Sequence, residues 1–315
     1  MRKAPSQVLL TFDVEGIPPR EDYFNNVSLI CLQIVLDLLE ERNLKGIFFI
    51  TQNAAESIRE HSDVAQRLSR HQIGYHGSSH SISPSILEYT DIPNYEKACA
   101  ISLKKERDGI LALKEAFPKN EIVCFRAPFL AWSPPHLEAL RELGISFDFS
   151  AEISEEPVSF KGITFYPAPI SIDEIAQTFV QKKPDELLPT PVFTILLRRK
   201  VSVLLTHPSK MVAEKRPNRK KYKNKGIFKT QLFVSSLELL LDIINLIEKT
   251  GLIQTTVALS RSWHHLDSRE VNVESVYRSS VRAQMYLFDI KPQFVFSHFL
   301  RFFDKKKETR NESDS

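Results

Sequence analysis

Two carboxylates separated by one residue, Asp13 and Glu15, follow the apolar, β-branched run Val8–Phe12. Side by side, such a pair can supply a proton acceptor and a metal ligand. Farther along, His76-Gly77-Ser78-Ser79-His80 places two imidazoles four positions apart. On a helical turn they would share a face and could both reach one ion. Together with an earlier carboxylate they make a two-histidine, one-carboxylate set. Three more polar residues sit where apolar runs end: Arg126 in Arg126-Ala127-Pro128-Phe129, Asp148 in Asp148-Phe149-Ser150, and His207 in Leu204-Leu205-Thr206-His207-Pro208. Each alone has an ordinary explanation. An Asp-x-Glu is usually a solvated strand end, a spaced histidine pair a surface feature, Arg126 a surface charge, Asp148 a helix cap and His207 a core histidine. What sets them apart is that all would have to be accidental at successive strand ends.

The elements that must position these residues alternate. Strand-like runs at Val8–Phe12, Gly46–Thr51, Gln72–Tyr75, Ile122–Arg126, Ser146–Ser150 and Val201–Thr206 are separated by helical periodicity. The helical stretches are Val27–Arg42, Glu56–Arg70, Tyr95–Ala116 and one that starts at Pro134-Pro135. Val234–Lys249 reads as a further helix ended by Gly251, with a strand at Leu252–Leu259. This is the pattern of a parallel sheet covered by helices, repeated often enough to close into a barrel, and barrel enzymes keep their chemistry at the C-terminal strand ends. The expected division is a barrel domain over 1–260 and a C-terminal extension over 261–315, where the periodicity fades and the last residues are polar enough for disorder.

The ordered motifs Thr-Phe-Asp, His-x-x-x-His, Arg-x-Pro, Asp-x-Ser and Leu-x-x-His, from about Val8 to Pro208, resemble those of the polysaccharide deacetylases. That family is also called the NodB-homology or carbohydrate esterase family four domain. The resemblance implies a distorted (β/α)7 barrel and hydrolysis of an N-acyl group, acetyl or formyl, on an amino sugar. It implies Asp13 as catalytic base, His207 as general acid, Arg126 as the partner that orients Asp13 and Asp148 as the partner that orients His207. His76 and His80 would be metal ligands, Leu204 would line the acyl pocket, and Phe129 stands where the family has a tyrosine and would contribute a backbone N–H. Val14 occupies the position of the family's second aspartate, and Glu15 is the only nearby replacement as third ligand. One divalent ion is implied, zinc first, with cobalt, manganese, nickel or iron also compatible with the donors. Two other readings stay open: a ring-opening amidohydrolase similar to the allantoinases, favoured if Glu15 cannot reach the ion, and a sugar-binding homologue without turnover.

Composition sets the outer limits. The 315 residues are 42% apolar and 26% charged with a net charge of +3, ordinary for a globular enzyme and no argument for nucleic acid. Cys31, Cys99 and Cys124 match no zinc pattern and read as reduced, buried thiols. No leader or spanning segment is recognisable, so a cytoplasmic protein is expected. Lys215–Lys225 carries seven Lys or Arg in eleven residues, a loop suited to a phosphate or diphosphate on a lipid- or nucleotide-linked sugar. The phenylalanine-rich stretch Tyr286–Phe303 would either touch a membrane interface or pack on the barrel. The other histidines, His61, His71, His136, His264, His265 and His298, are assigned structural or surface places. Oligomeric state is not legible.

Overall fold

Along β1 (Ser6–Val14) the side chains alternate between two different cores, and this alternation organises the molecule. Val8, Leu10, Phe12 and Val14 join a large outer core between sheet and helices. Leu9 joins a smaller inner core with Ile47, Phe49, Cys124, Phe147, Phe149, Tyr166, Val201 and Val203. The computed structural model describes residues 6–16, 24–78, 80, 83–176, 196, 198–211, 239–249, 253–255, 259, 264–266, 271–288 and 291–304.

The sheet is built as the alternation predicts. After β1 come α1 (Asn26–Glu41), β2 (Ile47–Ile50), α2 (Gln52–Arg59), α3 (Ser62–Leu68), β3 (Gln72–Tyr75), α4 (Ile86–Thr90), α5 (Tyr95–Ala116), β4 (Cys124–Phe125), α6 (Pro134–Glu142) and β5 (Phe147–Asp148). Short strands β6 (Val158–Phe160), β7 (Ile163–Phe165) and β8 (Ile170–Ser171) precede β9 (Val201–Thr206), a helix α7 over 239–249, and β10 (Ile253–Thr255). The strand order is β6-β7-β5-β4-β3-β2-β1-β9-β8, all parallel except β6 against β7. Gln7 and Val8 pair with both β9 and β10, while Thr11 and Phe12 pair with both β9 and β2. Strands β2 and β10 therefore share the edge of β1 opposite β9. The result is a curled sheet of the distorted-barrel type.

Local chemistry starts each helix. The Asn25 side chain accepts from the N–H groups of Val27 and Ser28, Thr51 caps α2, Ser85 and Glu88 form a capping box on α4, and Asn94 caps α5. The expected single helix Glu56–Arg70 is two. Ala54, Ala55 and Ile58 are buried in α2, but Val64 comes six residues after Ile58, out of phase with a 3.6-residue repeat. The break at Glu60–His61 turns Val64 and Leu68 back to the core. His71 is structural: its Nδ1 accepts the Gly46 N–H, and burial, with Lys45 nearby, pushes its pKa down to about 4. Cys31 and Cys124 are buried and Cys99 half-buried, all unpaired.

Beyond Arg261, where periodicity was expected to fade, two helices form: α8 (Val273–Phe288) and α9 (Val295–Phe302). A signal was present, since Val273, Val276, Tyr277, Ser280 and Val281 follow helical spacing and the Asn272 side chain accepts from the Ser275 N–H. Val276, Val281, Val295, Phe299, Phe302 and Phe303 are buried in the same outer core as the sheet. Packing, not a membrane interface, is thus the fate of Phe299, Phe302 and Phe303. No helix among the described residues is long and apolar enough to cross a membrane. The basic stretch 215–225, Gly251 and the polar terminus lie outside the described residues.

Candidate active site

The inner face of the sheet turns ionisable at its C-terminal edge. Thr11, Asp13 and Glu15 continue the row that begins with Leu9, because residues two apart on a strand point the same way. His76 follows β3, Arg126 follows β4 and His207 follows β9, each at the parity of an inner-core residue: Gly74 packs at Phe49 and Cys124, Cys124 is itself inner, and Val201 and Val203 are inner. Six ionisable side chains at this edge are buried: Asp13, Glu15, His76, His80, Arg126 and His207.

Their contacts divide the labour. Arg126 Nη1 donates to Asp13 Oδ1 at 2.7 Å and Nη2 to Thr11 Oγ1 at 2.8 Å, while Thr11 in turn donates to the Leu204 carbonyl. The guanidinium rests over the Phe49 ring at 4.3 Å. Burial pushes the Asp13 carboxyl up, but Arg126, helped by His76 and His207, outweighs it and holds Asp13 below the usual carboxylate range. Asp13 is therefore ionised and fixed in direction.

Glu15 Oε2 lies 2.8 Å from His80 Nε2 and 3.5 Å from His76 Nε2. The ligand-type atoms of Glu15, His76 and His80 all fall within 4.8 Å of one another. The Nδ1 of His76 faces the Arg126 carbonyl at 2.8 Å, so that nitrogen must carry the proton. Its Nε2 is left buried and without a hydrogen-bond partner. That is the arrangement in which imidazole ligates a metal, with the other nitrogen held by a carbonyl. The donors therefore fit a divalent ion. His80 reaches this point differently from the expectation. Among the described residues after β3, Ser78 and His80 lie in bends, and Gly77 takes φ 86°, a conformation that side chains disfavour. The two rings still converge, 5.5 Å apart.

His207 stands across from the histidine pair, its Nε2 3.7 Å from Asp13 Oδ2 and 3.9 Å from Glu15 Oε1. Its orienting partner is Asp173, not Asp148. Asp173 Oδ2 accepts from the His207 backbone N–H at 2.9 Å and faces Nδ1 at 2.8 Å, and Oδ1 accepts from Thr206 Oγ1. Asp173 lies in the first helical turn after β8, a strand of only two residues. Its one sequence signal is the apolar Pro169-Ile170-Ser171-Ile172 run just before it. Asp148 pairs in register with Phe125, an outer-core residue, and so points away from the site. There it accepts from the N–H groups of Ser150 and Ala151, the capping role that is the ordinary reading of such an aspartate.

Leu204 needs the same correction. It pairs with Leu10 and packs in the outer core; Leu205, paired with Thr11, is the residue on the inner face. Phe129 is beside the site as expected, its ring 4.2 Å from that of His80. It lies in a 3-10 turn, Pro128–Leu130, where Phe129 and Leu130 both have positive φ, 56° and 57°.

The profile of the polysaccharide deacetylase family matches residues 2–147. No curated protein matches the chain. Among solved structures, Puue allantoinase superposes with a TM-score of 0.54 at 12% identity, covering 92% of this chain and 93% of its own. A putative polysaccharide deacetylase from Mycobacterium smegmatis gives 0.48 at 18% identity over 83% and 98% of the two chains. A mutant of a CE4 family pseudoenzyme from Bacillus anthracis, with restored enzymatic activity, gives 0.44 at 14% identity and 80% coverage of this chain. The chain spans 65% of the length of that last relative. At such identities the allantoinase likeness concerns the fold.

Proposed function

We propose, from the match of residues 2–147 to the polysaccharide deacetylase family, that this chain is a metal-dependent hydrolase that removes an N-acyl group from an amino sugar. The observation that carries the reading is the convergence of a ligand trio, Glu15, His76 and His80, with two separately oriented proton-transfer groups, Asp13 on Arg126 and His207 on Asp173.

An amide resists hydrolysis because its carbonyl is a poor electrophile and its nitrogen a poor leaving group. A divalent ion held by Glu15, His76 and His80 would polarise the carbonyl and acidify water. Asp13, ionised and aimed by Arg126, takes the proton from the attacking water. The Phe129 backbone N–H would serve the oxyanion, as the family resemblance implies. His207, whose Nδ1 faces Asp173, presents Nε2 to the departing nitrogen and protonates it as the C–N bond breaks. The products are a carboxylate and a free amine.

Glu15 beside His80 and His76 supports the metal-dependent form over a metal-independent ring-opening one. The full-length fold likeness to an allantoinase keeps a cyclic amide as the second reading. The cationic run 215–225 favours a phosphorylated, lipid- or nucleotide-linked sugar as the acceptor of this chemistry. The test is amine release from N-acetyl and N-formyl amino sugars, free, oligomeric and carrier-linked, beside a cyclic amide. Release should stop with chelator and return with zinc or cobalt. Turnover unaffected by chelator, or confined to the cyclic amide, would sink the reading.

A further inference from the structure

The turn beside the site is strained, and the C-terminal helices are what it leans on. Two consecutive non-glycine residues, Phe129 and Leu130, occupy the left-handed region, at a cost of roughly 1–2 kcal/mol each. Such strain persists only where surrounding structure over-determines it. On the sheet side the Ala127 N–H donates to Ser150 Oγ at 2.7 Å. On the other side Trp132, fully buried, packs its ring on Phe299 of α9 with centroids 4.8 Å apart. Helix α8 contacts the turn directly, and its Tyr277 lies edge-on to Phe299 at 5.7 Å.

Helix α9 is itself tied to the end of α4 and the start of α5, the elements that follow His80 in the chain. Asp91 accepts from the N–H groups of Gln293, Phe294 and Val295 at 2.8, 2.6 and 3.1 Å, capping α9 with a carboxylate where its dipole favours one. His298 Nε2 meets the carbonyls of Thr90 and Ile92, and Arg301 pairs with Glu96. Thr90 closes the circuit by accepting from Ser133 Oγ at 2.9 Å, one residue past Trp132.

We propose that α8 and α9 are a clasp that positions the Ala127–Trp132 turn against the site, with Phe299 and Asp91 as positioning residues that never touch substrate. Sequence placed these helices outside the barrel, as an extension. Their contacts instead join the segments leaving β3 and β4, which carry His80 and Phe129. Because the Phe129 ring lies on His80, loosening the turn would misplace the oxyanion donor first and the ligand second. A displacement of a few tenths of an ångström there lowers turnover more than binding.

The proposal rests on the hydrolase reading for its kinetic arm and is independent of it for its exchange arm. Asp91→Ala and Phe299→Leu are compared with wild type in the full chain. Expected is a fall in kcat of about tenfold, with KM and zinc affinity within about threefold and far-UV spectra unchanged. Amide hydrogen exchange of Leu130 and Ala131, whose N–H groups bond within the turn, should quicken about tenfold while Phe48–Ile50 keep wild-type rates. Folded variants with wild-type kcat and wild-type exchange in the turn overturn the clasp. If wild type releases no amine, the hydrolase reading fails by itself, and the exchange rates still decide the clasp.

Discussion

Among the described residues, carboxylates are buried beside imidazoles on both faces of the sheet. On the outer face Glu106 of α5, 1% exposed, accepts from the phenols of Tyr75 and Tyr89, with His136 Nε2 at 3.5 Å. Burial and the Glu106 charge push both phenols far above their ordinary pKa, so they remain donors. Gly109 leaves the gap that the Tyr75 hydroxyl fills, since a Cβ there would come within 2.2 Å of it. Both phenols donate to the one carboxylate, while the two ring nitrogens of His136 stay buried without a hydrogen-bond partner. On the inner face two carboxylates, Asp13 and Glu15, crowd together with the Nε2 atoms of His76 and His80, and Arg126 donates to Asp13. Burial of charge is common to both clusters, so it cannot mark the site. Convergence of like groups does, because it is unfavourable without a cation or a moving proton.

The sharpest way to break this contrast is to neutralise one carboxylate of each cluster. Asp13→Asn should keep the ion and lose turnover by roughly a hundredfold to ten-thousandfold, because an amide cannot take the water proton. Glu15→Gln should lose affinity for the ion, with activity partly restored by excess metal, since a neutral oxygen is the weaker ligand. Glu106→Gln should leave kcat within about twofold and cost roughly 1–3 kcal/mol of stability, the penalty for a buried phenol deprived of its acceptor. Elemental analysis, kinetics and denaturant unfolding of the three proteins decide it. If Glu15→Gln retains stoichiometric metal and Asp13→Asn does not, the two inner roles are exchanged.

A smaller effect separates the two aspartates that sequence confused. Asp173→Asn keeps an oxygen for the His207 backbone N–H but replaces the carboxylate that faces Nδ1 and aims the ring, so kcat should fall about tenfold to a hundredfold. Asp148→Asn should change kcat less than twofold. Equal losses in both would mean that Asp148 acts on the site through the Ser150–Ala127 contact, not merely as a cap.

Why sequence found some of these residues and misplaced others comes down to strand parity. Asp13, Glu15, His76, His80, Arg126 and His207 converge as expected because all lie at or just beyond strand ends on the inner face. Asp148 and Leu204 are one residue out of phase, and in a pleated strand one residue is the difference between the site and the outer core. Motif order carries no parity; the inner run Phe147, Phe149 and the run Val201, Val203 supply it once the inner core is known. Asp173 was hidden because β8 is too short to show any alternation, and its pairing with β9 depends on a contact across about thirty residues of chain. The barrel frame was legible because its strands and α1 and α5 are strongly periodic. The split of α2 from α3 and the capture of α8 and α9 were not, since both are settled by packing.

The subtlest test uses the outer aspartate as its own pH probe. Asp148 is fully buried, and burial, only partly offset by hydrogen bonds from Ser150 and Ala151, raises its pKa from 3.8 to about 6. A carboxyl with a raised folded-state pKa binds its proton more tightly in the native protein than in the unfolded one. Its favourable contribution is therefore complete below pH 4, where both states are protonated, and is lost as pH rises through about 6. The loss amounts to roughly 3 kcal/mol at neutral pH, from about 1.4 kcal/mol per pKa unit. Asp148→Asn mimics the protonated form, since its oxygen can still accept from the two N–H groups and its amide can donate to Ser150 Oγ. The variant should match wild type near pH 4 and exceed it in stability near pH 7, with the gap opening between pH 4 and 6. Taking the difference between the two proteins cancels the opposite trend from Asp13, whose lowered pKa is common to both. A gap that is constant from pH 4 to 7 would mean that Asp148 is ionised throughout, and would make the outer face electrostatically closer to the inner one than its contacts indicate.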